Sequence, residues 1–102
     1  VAQGEDFSVE IKYAIVTGAS SGIGAAISRV LCETGYEVFG FGRDFQKMSL
    51  QPLNSLEGFH PVECDLLDTP SVLELIKKIK SEHAISMLVN NAGVGYYGLH
   101  EE

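Results

Sequence analysis

Positive charge is scarce in this chain. Seven lysines and arginines face fourteen aspartates and glutamates for a net charge of −7, and only Arg29 and Arg43 are arginines. No basic patch is dense enough to neutralise several phosphates, so nucleic acid is not an expected partner. Cysteine is nearly absent. Cys32 and Cys64 stand far apart with no Cys-x-x-Cys spacing, which excludes a disulfide framework and leaves two small buried hydrophobes as the reading. No apolar run approaches the length of a membrane span. The start, Val1 to Asp6, is acidic and has no apolar stretch of the kind that marks a secretory signal. The expectation is a cytoplasmic protein with no membrane partner. Histidines occur singly, at 60, 83 and 100, so no metal site is expected.

What is present suits one folded domain over residues 1–102, with residues 1–11 a disordered lead-in; hydrophobic residues make up 45% and charged ones 21%. The chain is organised around Thr17-Gly18-Ala19-Ser20-Ser21-Gly22-Ile23-Gly24. An apolar run, Tyr13 to Val16, precedes it, and Ile23, Ala26, Ile27, Val30 and Leu31 follow at helical spacing, so it reads as a strand-to-helix turn. Three glycines in seven residues clear side chains from the backbone, and the unpaired N–H groups that open the helix point at any anion placed there. The spacing Gly-x-x-x-Gly-x-Gly is neither the Gly-x-Gly-x-x-Gly fingerprint nor a P-loop.

Strands are predicted at 12–16, 37–41, 58–65 and 85–89. Pro61 suits an edge position in the third. The first helix runs from Gly22 to about Thr34, with Gly35 as its C′ residue. A helical turn is expected from Asp44 to Leu50, stopped by Pro52. The last helix opens at Thr69 or Asp68, with Pro70 in its first turn, and buries Val72, Leu73, Ile76 and Ile79 while Lys77, Lys78 and Lys80 collect near its C-terminus. Alternating strands and helices predict a Rossmann-like α/β fold: a parallel sheet in the order 3-2-1-4 with helices on both faces, an incomplete doubly wound architecture. Its switch point beside the first strand brings the glycine turn and Asn90 to Gly93 into one crevice.

The glycine motif, Asp65 after the third strand and Asn90-Asn91-Ala92-Gly93 together resemble the short-chain dehydrogenase/reductase family over residues 12–98. The resemblance implies a nicotinamide cofactor and hydride exchange with a small carbonyl or alcohol substrate. It implies that Gly18, Ser20, Ser21, Gly22, Ile23 and Gly24 form the pyrophosphate turn. Asp65 and the Leu66 backbone would meet the adenine, and Asn90, Ala92 and Gly93 the nicotinamide ribose. Asn90 and Asn91 also read as ties between strands, since amides buried near a sheet must be bonded. Gly42-Arg43 is similar to the NADP-preferring members, because NAD-preferring ones carry an acid where Gly42 stands. NADP is therefore the expected cofactor, NAD the less favoured one, with Asp44, one residue further on, pointing to solvent or capping the following turn. The catalytic Tyr-x-x-x-Lys pair is missing: the residues four after Tyr13, Tyr36, Tyr96 and Tyr97 are Thr17, Gly40, His100 and Glu101. No catalytic residue is assigned, and the chain reads as an amino-terminal cofactor-binding half that is inactive alone. The alternative is a non-catalytic dinucleotide- or partner-binding module. An open edge on the fourth strand implies a homo-oligomer or a complementary chain.

Overall fold

The computed structural model describes residues 11–47 and 50–91. Its elements are β1 (Tyr13–Thr17), α1 (Gly22–Glu33), β2 (Glu37–Gly42), α2 (Gln51–Asn54), β3 (Phe59–Glu63), α3 (Thr69–Glu82) and β4 (Ile85–Asn90). All strand pairs are parallel, in the order β3-β2-β1-β4. The predicted sheet is the observed one.

Strand alternation divides the core between two faces. Ile15 and Phe41 turn towards Val72, Ile76 and Ile79 of α3. Val16, Val38 and Phe59 turn the other way, into a cluster with Leu50 and Leu53 to which Ile27 and Leu31 of α1 add. Ala14, Ile15 and Val16 are wholly buried because β1 is central and covered on both sides, which is why its sequence is continuously apolar.

The helix ends follow from local chemistry. Thr34 caps the C-terminus of α1 and Gly35 takes φ 102°, a region that favours glycine. The Tyr36 amide reaches the Leu31 carbonyl at 3.0 Å and the Gly35 amide that of Cys32 at 3.1 Å, a complete Schellman closure. For α3 the N-cap is Asp68 rather than Thr69: its carboxylate accepts from the Ser71 amide at 3.3 Å and the Ser71 hydroxyl at 2.7 Å.

The segment after β2 departs from expectation. Residues 44–47 are not helical, and Pro52 lies in the first turn of α2 instead of ending a helix. Asp44 Oδ1 accepts from the Gln46 amide at 3.0 Å, an Asx turn that competes with helix. A proline in a first turn gives up no helical hydrogen bond.

Cys32 packs with the α1 side of the core and Cys64 with the α3 side, so the sheet separates them. Burial raises both thiols above their ordinary range. Glu37 and Glu33 add to this at Cys32 and Asp65 at Cys64, where a bond involving the Gly42 backbone opposes it. Both are expected to alkylate several-fold more slowly than free cysteine at pH 7.5, with urea restoring the rate. Because the folded values are raised, the associated stability is complete below the free thiol range and declines as pH climbs through and above it. Free-thiol rates in the native protein would contradict this.

Candidate functional site

At the carboxyl end of β1 the chain enters the glycine turn through Gly18 at φ 71°. The Gly18 carbonyl accepts from the Ser21 amide at 3.2 Å, the Ser21 hydroxyl at 2.8 Å and the Asn91 side-chain amide at 3.3 Å. Ser21 is also the N-cap of α1, accepting from the Gly24 amide at 3.4 Å, and it takes a second bond from Asn91 at 3.3 Å. Two further ties hold the turn to the sheet. The Ala19 amide donates to the Phe41 carbonyl at 2.9 Å, and the buried Thr17 hydroxyl reaches Asn90 Oδ1 at 3.0 Å. Thus β1, β2 and the end of β4 all position one loop.

The three glycines have different work. A Cβ at Gly24 would overlap the Gly18 carbonyl oxygen and stand 2.7 Å from its carbon and 2.8 Å from Asn91 Nδ2, so Gly24 permits close packing of helix on turn. A Cβ at Gly22 would meet nothing within 4 Å. That space lies at the helix start, where the first amides have no carbonyl ahead of them and the helix dipole favours an anion. Ile23 beside it is 70% exposed. Gly42, ending β2, could not gain a side chain freely: its Cβ would come within 2.6 Å of Ser20 Oγ.

A cleft of about 440 Å³ opens against this turn. Gly18, Ser20 and Ser21 form one wall, Arg43, Asp44 and Lys47 another, with Leu66, Leu67 and Asn91 completing it. Gly22, Ile23 and Gly24 follow directly as the first turn of α1. Asp65 is not among the lining residues; its Oδ1 accepts from the Leu67 amide at 3.0 Å. Asn90 ends β4, bound to Thr17. Ala92 and Gly93 lie outside the described residues, as do residues 1–10 and the terminal Val94, Tyr96 and Tyr97.

Lys47 and Leu67 are site residues that sequence reasoning does not single out. Lys47 Nζ donates to the Ser20 carbonyl at 3.4 Å. Its only sequence signal is a cation four places after Arg43. Leu67 is 73% exposed, an apolar surface next to the predicted adenine residues. Among the described residues no group of three or more His, Cys, Asp or Glu could hold a metal ion, and no helix is long and apolar enough to cross a membrane.

An anion-receptive turn, two cations and an apolar wall lie together at the switch point of a parallel sheet, an arrangement whose chemistry would fit a phosphate-bearing dinucleotide. The sequence profile of short chain dehydrogenases matches residues 12–102, and the chain belongs to the short-chain dehydrogenase/reductase family. It is 40% identical over 91 residues to an NADPH-dependent 3-dehydrocapnine reductase of Ornithobacterium rhinotracheale, covering 86% of this chain and 32% of that protein. It is 36% identical over 88 residues to a farnesol dehydrogenase of Aedes aegypti, covering 81% and 36%. Among solved structures, actinorhodin polyketide ketoreductase with NADPH superposes at a TM-score of 0.68 and 32% identity, over 82% of this chain and 34% of that one. A 3-oxoacyl-[acyl-carrier protein] reductase of Brucella melitensis in complex with NAD superposes at 0.67 and 28% identity, over 85% and 35%. The chain spans about a third of the length of these relatives. By their names, the first of these relatives is NADPH-dependent, and the two solved structures hold NADPH and NAD.

Proposed function

We propose that this chain is the cofactor-holding part of an NADP-dependent oxidoreductase that passes hydride between the nicotinamide and the carbonyl or alcohol carbon of a small substrate. The observation that carries the reading is the pairing of Gly42 with Arg43 at the end of β2. Glycine at 42 brings no carboxylate to the end of β2 to read an unphosphorylated ribose, and the Ser20 side chain packs over that position. Arg43 instead lines the cleft, where a guanidinium can give a ribose 2′-phosphate two charge-assisted bonds. The one nearby alternative, Asp44, is engaged in its own turn.

When bound, the nicotinamide ring supplies the hydride-transfer chemistry. The residues of this chain bind and orient. The amides of Gly22 and Ile23 would hold the pyrophosphate, Ser21 and Asn91 keep the Gly18 carbonyl of the turn in place, and Leu66 of the cleft wall, with the neighbouring Asp65 held by the Leu67 amide, would meet the adenine. By the family resemblance Asn90, Ala92 and Gly93 would serve the nicotinamide ribose. No tyrosine of this chain is followed four places on by lysine, so none of its residues is assigned the transfer of a proton to the substrate oxygen. In this reading the chain alone binds cofactor without turning it over. Among the described residues β4 pairs only with β1, and Met87, Leu88 and Val89 are only partly buried. Both facts support a further strand, from a complementary chain or a second copy, against that edge.

Calorimetry with NADP and NAD tests the cofactor assignment. A hydrogen bond to a charged group contributes about 1.5–3 kcal/mol, and an exposed site sits at the lower end. Arg43→Ala is therefore expected to weaken NADP roughly 10-fold and leave NAD nearly unchanged. Equal losses for both cofactors, or a preference for NAD before mutation, would overturn the assignment.

A further inference from the structure

The wall of the cleft that carries Arg43 carries a second cation, and its placement is specific. Lys47 reaches back from beyond β2 to the glycine turn, where its ammonium donates to the Ser20 carbonyl at 3.4 Å. The Asx turn closed by the Gln46 amide on Asp44 at 3.0 Å reverses the chain and makes this reach possible. The side chain of the same Ser20 stands over Gly42, the residue before Arg43. Three segments therefore bring hydrogen-bond donors to the lining of one cleft: Ser20 from the glycine turn, Arg43 from the end of β2 and Lys47 from the turn after it.

We propose that Lys47 is a specificity-determining residue that, with Arg43, reads a phosphate monoester on the adenosine ribose. The inference rests on the NADP reading given above and names a residue which that reading does not require. A phosphate monoester carries about −1.5 to −2 charge near pH 7, so a single guanidinium leaves it incompletely neutralised. An ammonium has three donors; the Ser20 carbonyl takes one and the others are available to phosphate oxygens. The same carbonyl holds the flexible lysine stem in place, which reduces the ordering entropy lost when the ligand arrives. Asp44, the carboxylate on this wall, accepts from the Gln46 amide through one oxygen, so its charge is partly engaged by the backbone. The rival role for Lys47 is a strap that merely steadies the glycine turn. A strap would matter equally to every ligand that the turn grips.

The test is calorimetric titration of the chain with NADP and NAD, and with 2′,5′-ADP and 5′-AMP, which differ only in the 2′-phosphate. Wild type, Arg43→Ala, Lys47→Ala and Lys47→Arg are compared after circular dichroism has shown that each is folded. Lys47→Ala is expected to weaken NADP and 2′,5′-ADP roughly 5- to 10-fold, the size of one exposed charge-assisted hydrogen bond, while NAD and 5′-AMP stay within about twofold. Lys47→Arg is expected to recover most of the loss. Losses of equal size for all four ligands would establish the strap and overturn the proposal, as would no loss at all. If Arg43→Ala selectively weakens NADP while Lys47→Ala does not, the inference fails and the NADP reading stands. If the wild-type chain shows no preference for the phosphorylated ligands, the reading fails and takes the inference with it.

Discussion

Gly24→Ala is expected to destabilise the fold by about 3 kcal/mol or more, at the upper end of what overpacking costs. The added carbon would overlap the Gly18 carbonyl oxygen and crowd both its carbon and Asn91 Nδ2. Ordinary contacts of this kind are far longer, and the obstacle is backbone, which cannot rotate aside as a side chain does. Nor can the carbonyl swing away freely, because Ser21 and Asn91 hold it with three hydrogen bonds. Moving it would forfeit bonds contributing about 1 kcal/mol each. A domain of this size has roughly 5–15 kcal/mol in all, so the melting temperature should drop by about 12–24 °C. Gly22→Ala is the matched control. Its methyl meets nothing within 4 Å, so the fold should persist or gain slightly, while the phosphate loses its close approach and cofactor binding falls. A Gly24→Ala protein within about 1 kcal/mol of wild type in urea unfolding would contradict the packing argument.

Phe41→Ala ranks beside it for a different reason. Phe41 is wholly buried in the centre of the sheet against Val72 and Ile76, and removing a buried phenyl ring costs about 3–5 kcal/mol in transfer and cavity terms. The Phe41 backbone carbonyl also holds the Ala19 amide, and Gly42 and Arg43, proposed above to read the cofactor, follow immediately. The variant should therefore lose stability and nucleotide affinity together, whereas Phe41→Leu should keep most of both. Loss of binding with an unchanged urea midpoint would show that the ring is not the structural element described here.

The strand order and both helical faces were legible because each rests on a signal that local chemistry enforces: the glycine turn, the Gly35 stop, the Asp68-Thr69-Pro70 start and the two-sided apolar run of β1. Boundaries moved by a residue or two, as β3 did from 58–65 to 59–63. The segment from Asp44 to Asn54 was misread because Pro52 can follow a helix or open one, and the choice was made by an Asx turn that sequence does not rank above helix propensity. Lys47 was lost with it. For the site, Gly18, Ser20, Ser21, Arg43 and Leu66 come together in one cleft. Asn90 and Asn91 both bind neighbouring segments, the structural role open to them from sequence. Which adjacent residue faces the cleft at 65–67 depends on a turn whose geometry the sequence does not encode visibly.

Three donors converge on the single oxygen of Gly18, one of them from beyond the end of β4. That atom is a shared node between the two rims of the crevice. A nucleotide that firms the glycine turn would also firm the position of Asn91, and by linkage an interaction that fixes Asn91 would favour the nucleotide in return. Asn91 is thereby placed to register an occupied cleft through one carbonyl oxygen.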